Sequence, residues 1–230
     1  QYIFRKREFE QMEMQMFVQP EDEMSVFESW REKRWQFYTD LGFNEAHIRW
    51  SEHENLVFYA KAAWDIEYQF PFGFKELEGI HARGDYDLSQ HQTHSGKDLT
   101  VVDPETNEKY LPHVVETSVG VDRLFLAVLT EFYDEDELNG EARTVLRLPK
   151  QLAPARVAVF PLLKNKPHLV EKAREVFDLL SEHYMCEWDD NGNIGKRYRR
   201  QDEIGTPHCV TVDFDTLGEE DPANADTVTV

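Results

Sequence analysis

The stretch Glu8-Phe9-Glu10-Gln11-Met12-Glu13-Met14-Gln15-Met16-Phe17-Val18 decides how the first half of the chain reads. From Met12 it alternates with the period of a β-strand. Met12, Met14, Met16 and Val18 share one face, which reads as core. The same alternation carried back to residue 5 puts Arg5, Arg7, Phe9, Gln11, Glu13 and Gln15 on the other face. Two cations, a ring, amides and a carboxylate in one row are more than a plain sheet surface needs. Two readings stay open here: a solvated strand face with scattered ion pairs, or a row that holds a ligand.

A strand rises about 3.3 Å per residue, so Phe9 and Glu13 stand roughly 13 Å apart, close to the span of an aminoacyl-adenylate from base to amino group. An aromatic ring could stack on a base, a carboxylate could take an ammonium, and arginines could take phosphate oxygens as planar forks.

Outward from this strand, Pro20 opens an acidic helix carrying Phe27, Trp30, Arg34, Phe37, Tyr38 and Leu41 at helical spacing, with Gly42 as its stop. The aromatics around Trp30 and Trp35 read as packing. Ile48–Trp50 reads as a strand, 56–63 as a short helix, and 65–70 and 74–82 as strands around Pro71 and Gly73. Simple alternation puts Glu76 and Arg83 on opposite faces of their strand. Residues 85–110 are polar, with a turn at 103–107. The segment 113–118 is a strand that runs through Gly120 into a helix bearing Val121, Leu124, Phe125, Val128, Leu129 and Phe132.

The pattern changes near residue 145. Residues 148–154 resemble a linker, 156–161 a buried parallel strand, 167–184 an amphipathic helix, and 184–188 and 208–214 further strands, a parallel α/β unit. The basic run Lys196-Arg197-Tyr198-Arg199-Arg200 reads either as a nucleic-acid contact or as a solvent-facing loop.

The chain has 230 residues and a net charge of −20, which weakens binding to nucleic acid without excluding a local basic site. No run of apolar residues suits a membrane span, and no leader is recognisable. Two cysteines, Cys186 and Cys209, make no disulfide framework, so a reduced, cytoplasmic protein is expected. His81, His91, His94 and His113 come without a CxxC or HExxH pattern and read as ordinary polar histidines; no zinc is expected.

A second constellation is Glu116-Thr-Ser118-Val-Gly120-Val-Asp122-Arg123, a strand entering a helix through glycine. Backbone N–H groups at a helix start favour anions, and Arg123 adds a charged fork. The plain alternative is Arg123 paired with Asp122 or Glu116.

The strand Phe4-Arg5-x-Arg7-Glu8-Phe9-x-Gln11-x-Glu13 resembles the second half of motif 2 of class II aminoacyl-tRNA synthetases, and Gly120-Val-Asp-Arg123 resembles their motif 3. Glu8–Glu13, Trp64-Asp-Ile-Glu67, Glu76–Arg83 with Asp85-Tyr-Asp-Leu88, and Pro112–Ser118 resemble the homodimeric glycyl-tRNA synthetase family. Leu152-Ala-Pro154, 195–207 and Thr211–Asp215 resemble its anticodon-binding domain.

The resemblance implies an α+β, antiparallel-sheet catalytic core over 1–147, followed by an α/β anticodon-binding domain over 148–230, both partial. It implies ATP-dependent attachment of glycine to tRNA(Gly) through a glycyl-adenylate, with Mg2+ accompanying ATP, in a homodimer. Arg5, Phe9, Glu76 and Arg123 are implied for ATP; Glu13, Arg83, Glu116 and Ser118 for glycine; Glu76 and Glu116 as possible Mg2+ holders. Motif 1 and the first half of motif 2 are not in the sequence, so the 230-residue chain is expected not to aminoacylate alone. The alternatives are a histidyl, prolyl or threonyl synthetase and a non-catalytic nucleic-acid-binding relative.

Overall fold

The computed structural model describes residues 2–53, 60–138, 140–219 and 221–230. The chain divides into two compact units, Gln1–Glu131 and Phe132–Val230.

The first unit is built on a five-stranded sheet. Its elements in order are β1 (Gln11–Val18), α1 (Glu23–Asp40), β2 (Ile48–Glu52), β3 (Ala62–Phe70), β4 (Gly73–Gly84), α2 (Tyr86–Ser95), the two-residue strands β5 (Val101–Val102) and β6 (Lys109–Tyr110), β7 (His113–Gly120) and α3 (Val121–Phe132). The strand order is β1-β7-β4-β3-β2, and every pairing is antiparallel. Half of the expected helix over 56–63, residues 56–59, lies outside the described residues, and Ala62 and Ala63 open β3 instead.

Helix α1 covers one face of this sheet. Phe27 and Tyr38, about three turns apart, are fully buried, over a floor of Ile66, Tyr68, Ile80, Ala82 and Val115. Trp35 stacks on Trp50 at 5.4 Å, and the Trp30 indole N–H points at the Met16 sulfur. Both tryptophans therefore pack, as their helical spacing suggested.

Two buried polar networks bind α1 to the sheet. Arg34 donates to both oxygens of Glu78 at 2.6 and 3.0 Å, and the Tyr38 hydroxyl donates to Glu78 at 2.7 Å. Glu23 accepts from the Gly84 amide at 2.6 Å and lies 2.5 Å from Lys61 Nζ and 2.7 Å from His113 Nδ1.

The methionine face is not core, contrary to its reading. It does point to the α1 side, since Met16 lies opposite the buried Val115. But β1 is the sheet edge, where little covers it: Met12 and Met16 are 46% and 41% exposed, and only Val18 is buried. Regular strand also starts only at Gln11. The alternation carried back to Arg5 therefore fails before that point, although Gln11, Glu13 and Gln15 keep their common face. Helix α2 lies in the stretch that read only as polar, and closes on Gly96 in the left-handed conformation.

The second unit holds the hairpin β8 (Tyr133–Leu138) and β9 (Glu141–Leu146), then β10 (Val157–Pro161), α4 (Pro167–Ser181), β11 (Cys186–Trp188), α5 (Ile194–Ile204) and β12 (His208–Val212). Strand β10 is central and parallel to both neighbours, in the order β11-β10-β12, and is buried along its whole length. Val157, Val159, Leu169, Ala173, Val210 and Val212 form its core. A continuous apolar run is what a strand covered on both faces requires.

The sequence placed a domain boundary after residue 147. The compact units put the 133–146 hairpin with the second half, where Arg143 bridges Asp136 and Asp202 and Arg199 reaches Glu141. The acidic run Asp134–Glu137 lies in β8. The basic run is neither loop nor uniformly solvent-facing. It lies in α5, where Arg197 is 2% exposed and donates to the carbonyls of Pro161, Asp190 and Gly192.

Candidate active site

The sheet face away from α1 carries the polar residues, and strand register assembles them. Glu13 on β1 lies opposite Ser118 on β7, Ser118 opposite Gly79 on β4, and Gly79 opposite Asp65 on β3. One step along, Gln15, Glu116, His81 and Ala63 form a parallel row. Directly opposed residues have Cβ atoms about 4.5–5.5 Å apart. Glu13, about a hundred residues away in sequence, thus becomes a neighbour of Ser118 and Glu116.

Two β-bulges complete the face. Ile66 pairs with Glu78 while Glu67 pairs with Glu76, so Leu77 is an extra residue. The extra residue reverses the alternation. Glu76 shares the polar face with Glu67, Gly79 and His81, while Leu77 and Glu78 are buried. A second irregularity at Arg83, between Ala82↔Val115 and Gly84↔Val114, aims its guanidinium at Glu116. Simple alternation had separated Glu76 and Arg83; the bulge at Leu77 brings Glu76 to the side of Gly79, His81 and Arg83.

Glu116 is the most enclosed acid of this face, 5% exposed. Gln15 donates to it at 2.9 Å, and Arg83 lies 3.2 Å away while also donating to Asp87 at 2.8 Å. His81 Nδ1 lies 3.6 Å from it. The imidazole, with Arg83 and Gln15, outweighs burial and holds the Glu116 carboxyl below the usual carboxylate range. Ser118 accepts from the Gln11 amide. Among the described residues, Glu13 and Arg5 have no ion-pair partner, and both are exposed.

The same face runs into a cleft of about 330 Å³ lined by Phe4, Arg5, Phe9, Glu76, Ser118 and Arg123. Arg123, in the first turn of α3, pairs with Glu76 at 3.1 Å and lies 4.5 Å above the Phe4 ring. Its partner is therefore neither Asp122, which pairs with Lys6, nor Glu116. The first N–H of α3, on Val121, already donates to the Glu10 carbonyl at 2.9 Å, so the cleft offers side-chain cations rather than that amide. The Phe9 ring is 63% exposed at the rim.

All eight sequence-proposed residues lie on this one surface. Sequence reasoning set Gln11 and Gln15 on the polar row without giving them a role, read His81 as an ordinary polar histidine, and assigned nothing to Asp65 or Gly79. The register partners of Glu116 and Ser118 would have pointed to them, but register is not visible without the fold.

An antiparallel sheet with this polar face, together with the cleft at the start of α3, defines the core of a class II aminoacyl-tRNA synthetase, and the chain belongs to that family. Residues 1–132 match the family described as the tRNA synthetase class II core domain (G, H, P, S and T), and residues 156–229 match the anticodon binding domain. Relatives named glycine–tRNA ligase include those of Chlorobaculum tepidum, 53% identical over 217 residues, and Clostridium tetani, 54% identical over 219. Each alignment covers 94% of this chain but 46% and 47% of the relative. The chain thus spans about half the length of the curated relatives it matches. A Giardia lamblia prolyl-tRNA synthetase solved with prolyl-adenylate shares the fold, with a TM-score of 0.68 at 17% identity, over 100% of this chain and 47% of that one.

Proposed function

We propose that this segment supplies part of the ATP and glycine site, and the tRNA-binding domain, of a glycine–tRNA ligase. The observation that carries the reading is the cluster of Glu13, Ser118, Glu116 and Arg83 on a sheet face that adjoins, at Ser118, a cleft lined by Arg5, Phe9 and Arg123. Glycine offers no side chain to grip, so a site for it must hold the ammonium and leave no room for a Cβ. Glu13 and Glu116 supply the negative charge, Ser118 an oxygen acceptor, and Arg83 keeps Glu116 ionised and oriented.

At the outer end Phe9 stacks on adenine, Arg5 reaches the phosphates, and Arg123 neutralises charge on the far phosphate. The glycine carboxylate then attacks the α-phosphate and pyrophosphate leaves. Positioning and charge neutralisation supply the acceleration, with no covalent nucleophile on the protein. A Mg2+ ion keeps several waters in an octahedral shell. Glu76, half-exposed at the cleft beside Arg123, suits such an ion; Glu116, enclosed and already accepting from Gln15 and Arg83, suits the ammonium better. When bound, Mg2+ would neutralise phosphate charge. The tRNA(Gly) partner and the homodimer belong to the same proposal.

The test is amino-acid-dependent ATP–pyrophosphate exchange by the protein extended to the length of its relatives. Glycine should support exchange, and Glu13→Ala and Ser118→Ala should abolish it. Exchange supported by another amino acid instead overturns the reading.

A further inference from the structure

Beside the proposed glycine site, three strands bring together His53, just after β2, Asp65 on β3 and His81 on β4. One ligand atom from each lies within 4.8 Å of the other two, the only such group among the described residues. His53 Nε2 is 2.8 Å from Asp65 Oδ2, and the two imidazole rings are 6.0 Å apart. Zn2+ binds nitrogen and carboxylate oxygen at about 2.0–2.2 Å, so tetrahedral ligand atoms stand about 3–3.5 Å from one another. Rotamer-scale adjustment from the present separations reaches that geometry.

The surroundings of His81 add an independent observation. Its Nδ1 is buried and makes no hydrogen bond, and the nearest acid is Glu116 at 3.6 Å. A neutral imidazole with Nδ1–H turned to a carboxylate leaves the Nε2 lone pair free for a metal. Metal-binding histidines ordinarily have such a carboxylate behind them. The ring can occupy this place because residue 79 has no side chain: a Cβ there would lie 2.6 Å from His81 Cε1. Asp65 Oδ1 borders the same hollow, 3.4 Å from that position.

We propose that His53 Nε2, the Asp65 carboxylate and His81 Nε2 bind one divalent transition-metal ion, Zn2+ by ligand chemistry, with water in the fourth position. Imidazole and carboxylate favour Zn2+ over Mg2+ or Ca2+. The ion ties β2, β3 and β4 together at the polar face and, through His81 Nδ1–H, draws a hydrogen bond onto Glu116. The site stands apart from the glycine reading, since it requires neither ATP nor an amino acid.

The experiment is titration of the chelator-treated full chain with Zn2+ by calorimetry, and with Co2+ by visible absorption. One ion per chain is expected, with a four-coordinate Co2+ spectrum and a higher melting temperature. His53→Ala, at an exposed position that leaves the fold intact, and His81→Ala should each weaken binding by at least about tenfold. Both should also remove the Co2+ spectrum, while His91→Ala leaves it unchanged. If His81→Ala fails to fold, His53→Ala and Asp65→Asn decide. No saturable binding, or binding unaltered in His53→Ala and Asp65→Asn, overturns the proposal.

Discussion

The Arg83 guanidinium lies 3.2 Å from the Glu116 carboxylate, at an irregularity near the end of β4. The same guanidinium donates to Asp87 from Nε, so a planar fork holds two acids at once. Lysine, with a single ammonium, cannot span both. In the extended protein, Arg83→Lys and Arg83→Ala should raise the KM for glycine about 10- to 100-fold, the scale of one charged hydrogen bond. The KM for ATP should stay nearly unchanged. Steady-state exchange kinetics with each substrate varied in turn separates the two; an equal rise in both would show that Arg83 acts only on the fold.

Gly79 gives a packing prediction. A methyl group at this position meets the His81 ring at 2.6 Å, so Gly79→Ala should destabilise the chain by about 1–3 kcal/mol. Adding His81→Ala removes the obstacle and should restore most of the loss, a coupling that urea denaturation of the double-mutant cycle measures.

Glu78 is buried and held by Arg34 and Tyr38. Removing one partner of a buried ion pair strands the other, at a cost of about 3–5 kcal/mol. Glu78→Ala should reach that range in chemical denaturation. Arg31→Ala, whose partner Glu28 is exposed on α1, should show a much smaller effect through its ion pair. Its packing against Trp64 and Trp50 is a separate contribution that Arg31→Met would largely retain.

Glu23 sets an acid limit. Burial pushes its carboxyl upward, but hydrogen bonds from Lys61, His113 and the Gly84 amide outweigh it and hold the pKa below the usual carboxylate range. A depressed folded-state pKa contributes stability that is fully present above the unfolded value of about 4.3 and is lost as pH falls through the folded value. Denaturation midpoints should therefore drop below about pH 4.3, and the Glu23→Gln variant should lose less over the same interval. Parallel slopes for the two proteins would contradict this.

Arg197 separates structure from RNA contact in the basic run. Its guanidinium is spent on three backbone carbonyls, so Arg197→Ala should unfold the second unit rather than merely weaken RNA binding. Lys196→Ala, at an exposed position, should leave the melting temperature unchanged and reduce the salt dependence of any tRNA binding.

Much of this protein was legible in its residues. Period-2 alternation marked β1 as a strand, the run 156–161 marked a buried parallel strand, and 3.6-residue periodicity marked α1, α3 and α4, because local periodicity records which side of an element differs from the other. The ordered motifs also carried the family. Helices α2 and α5 escaped because neither has a wide apolar stripe; α5 is anchored by a buried arginine, which composition alone presents as a surface charge. The exposure of Met12 and Met16 follows from β1 lying at the sheet edge, and strand order is not written in any one strand.

What only the tertiary structure decided is the polar face itself. Register sets Glu13 against Ser118 and Glu116 against His81, and the bulge at Leu77 turns Glu76 to their side. Bulges and register arise from pairing between distant segments, whose hydrogen bonds and packing choose among alternatives that each strand alone leaves equally good. The sequence determined the parts and the family. The pairing of the strands determined which residues face one another, and with them the chemistry the surface can perform.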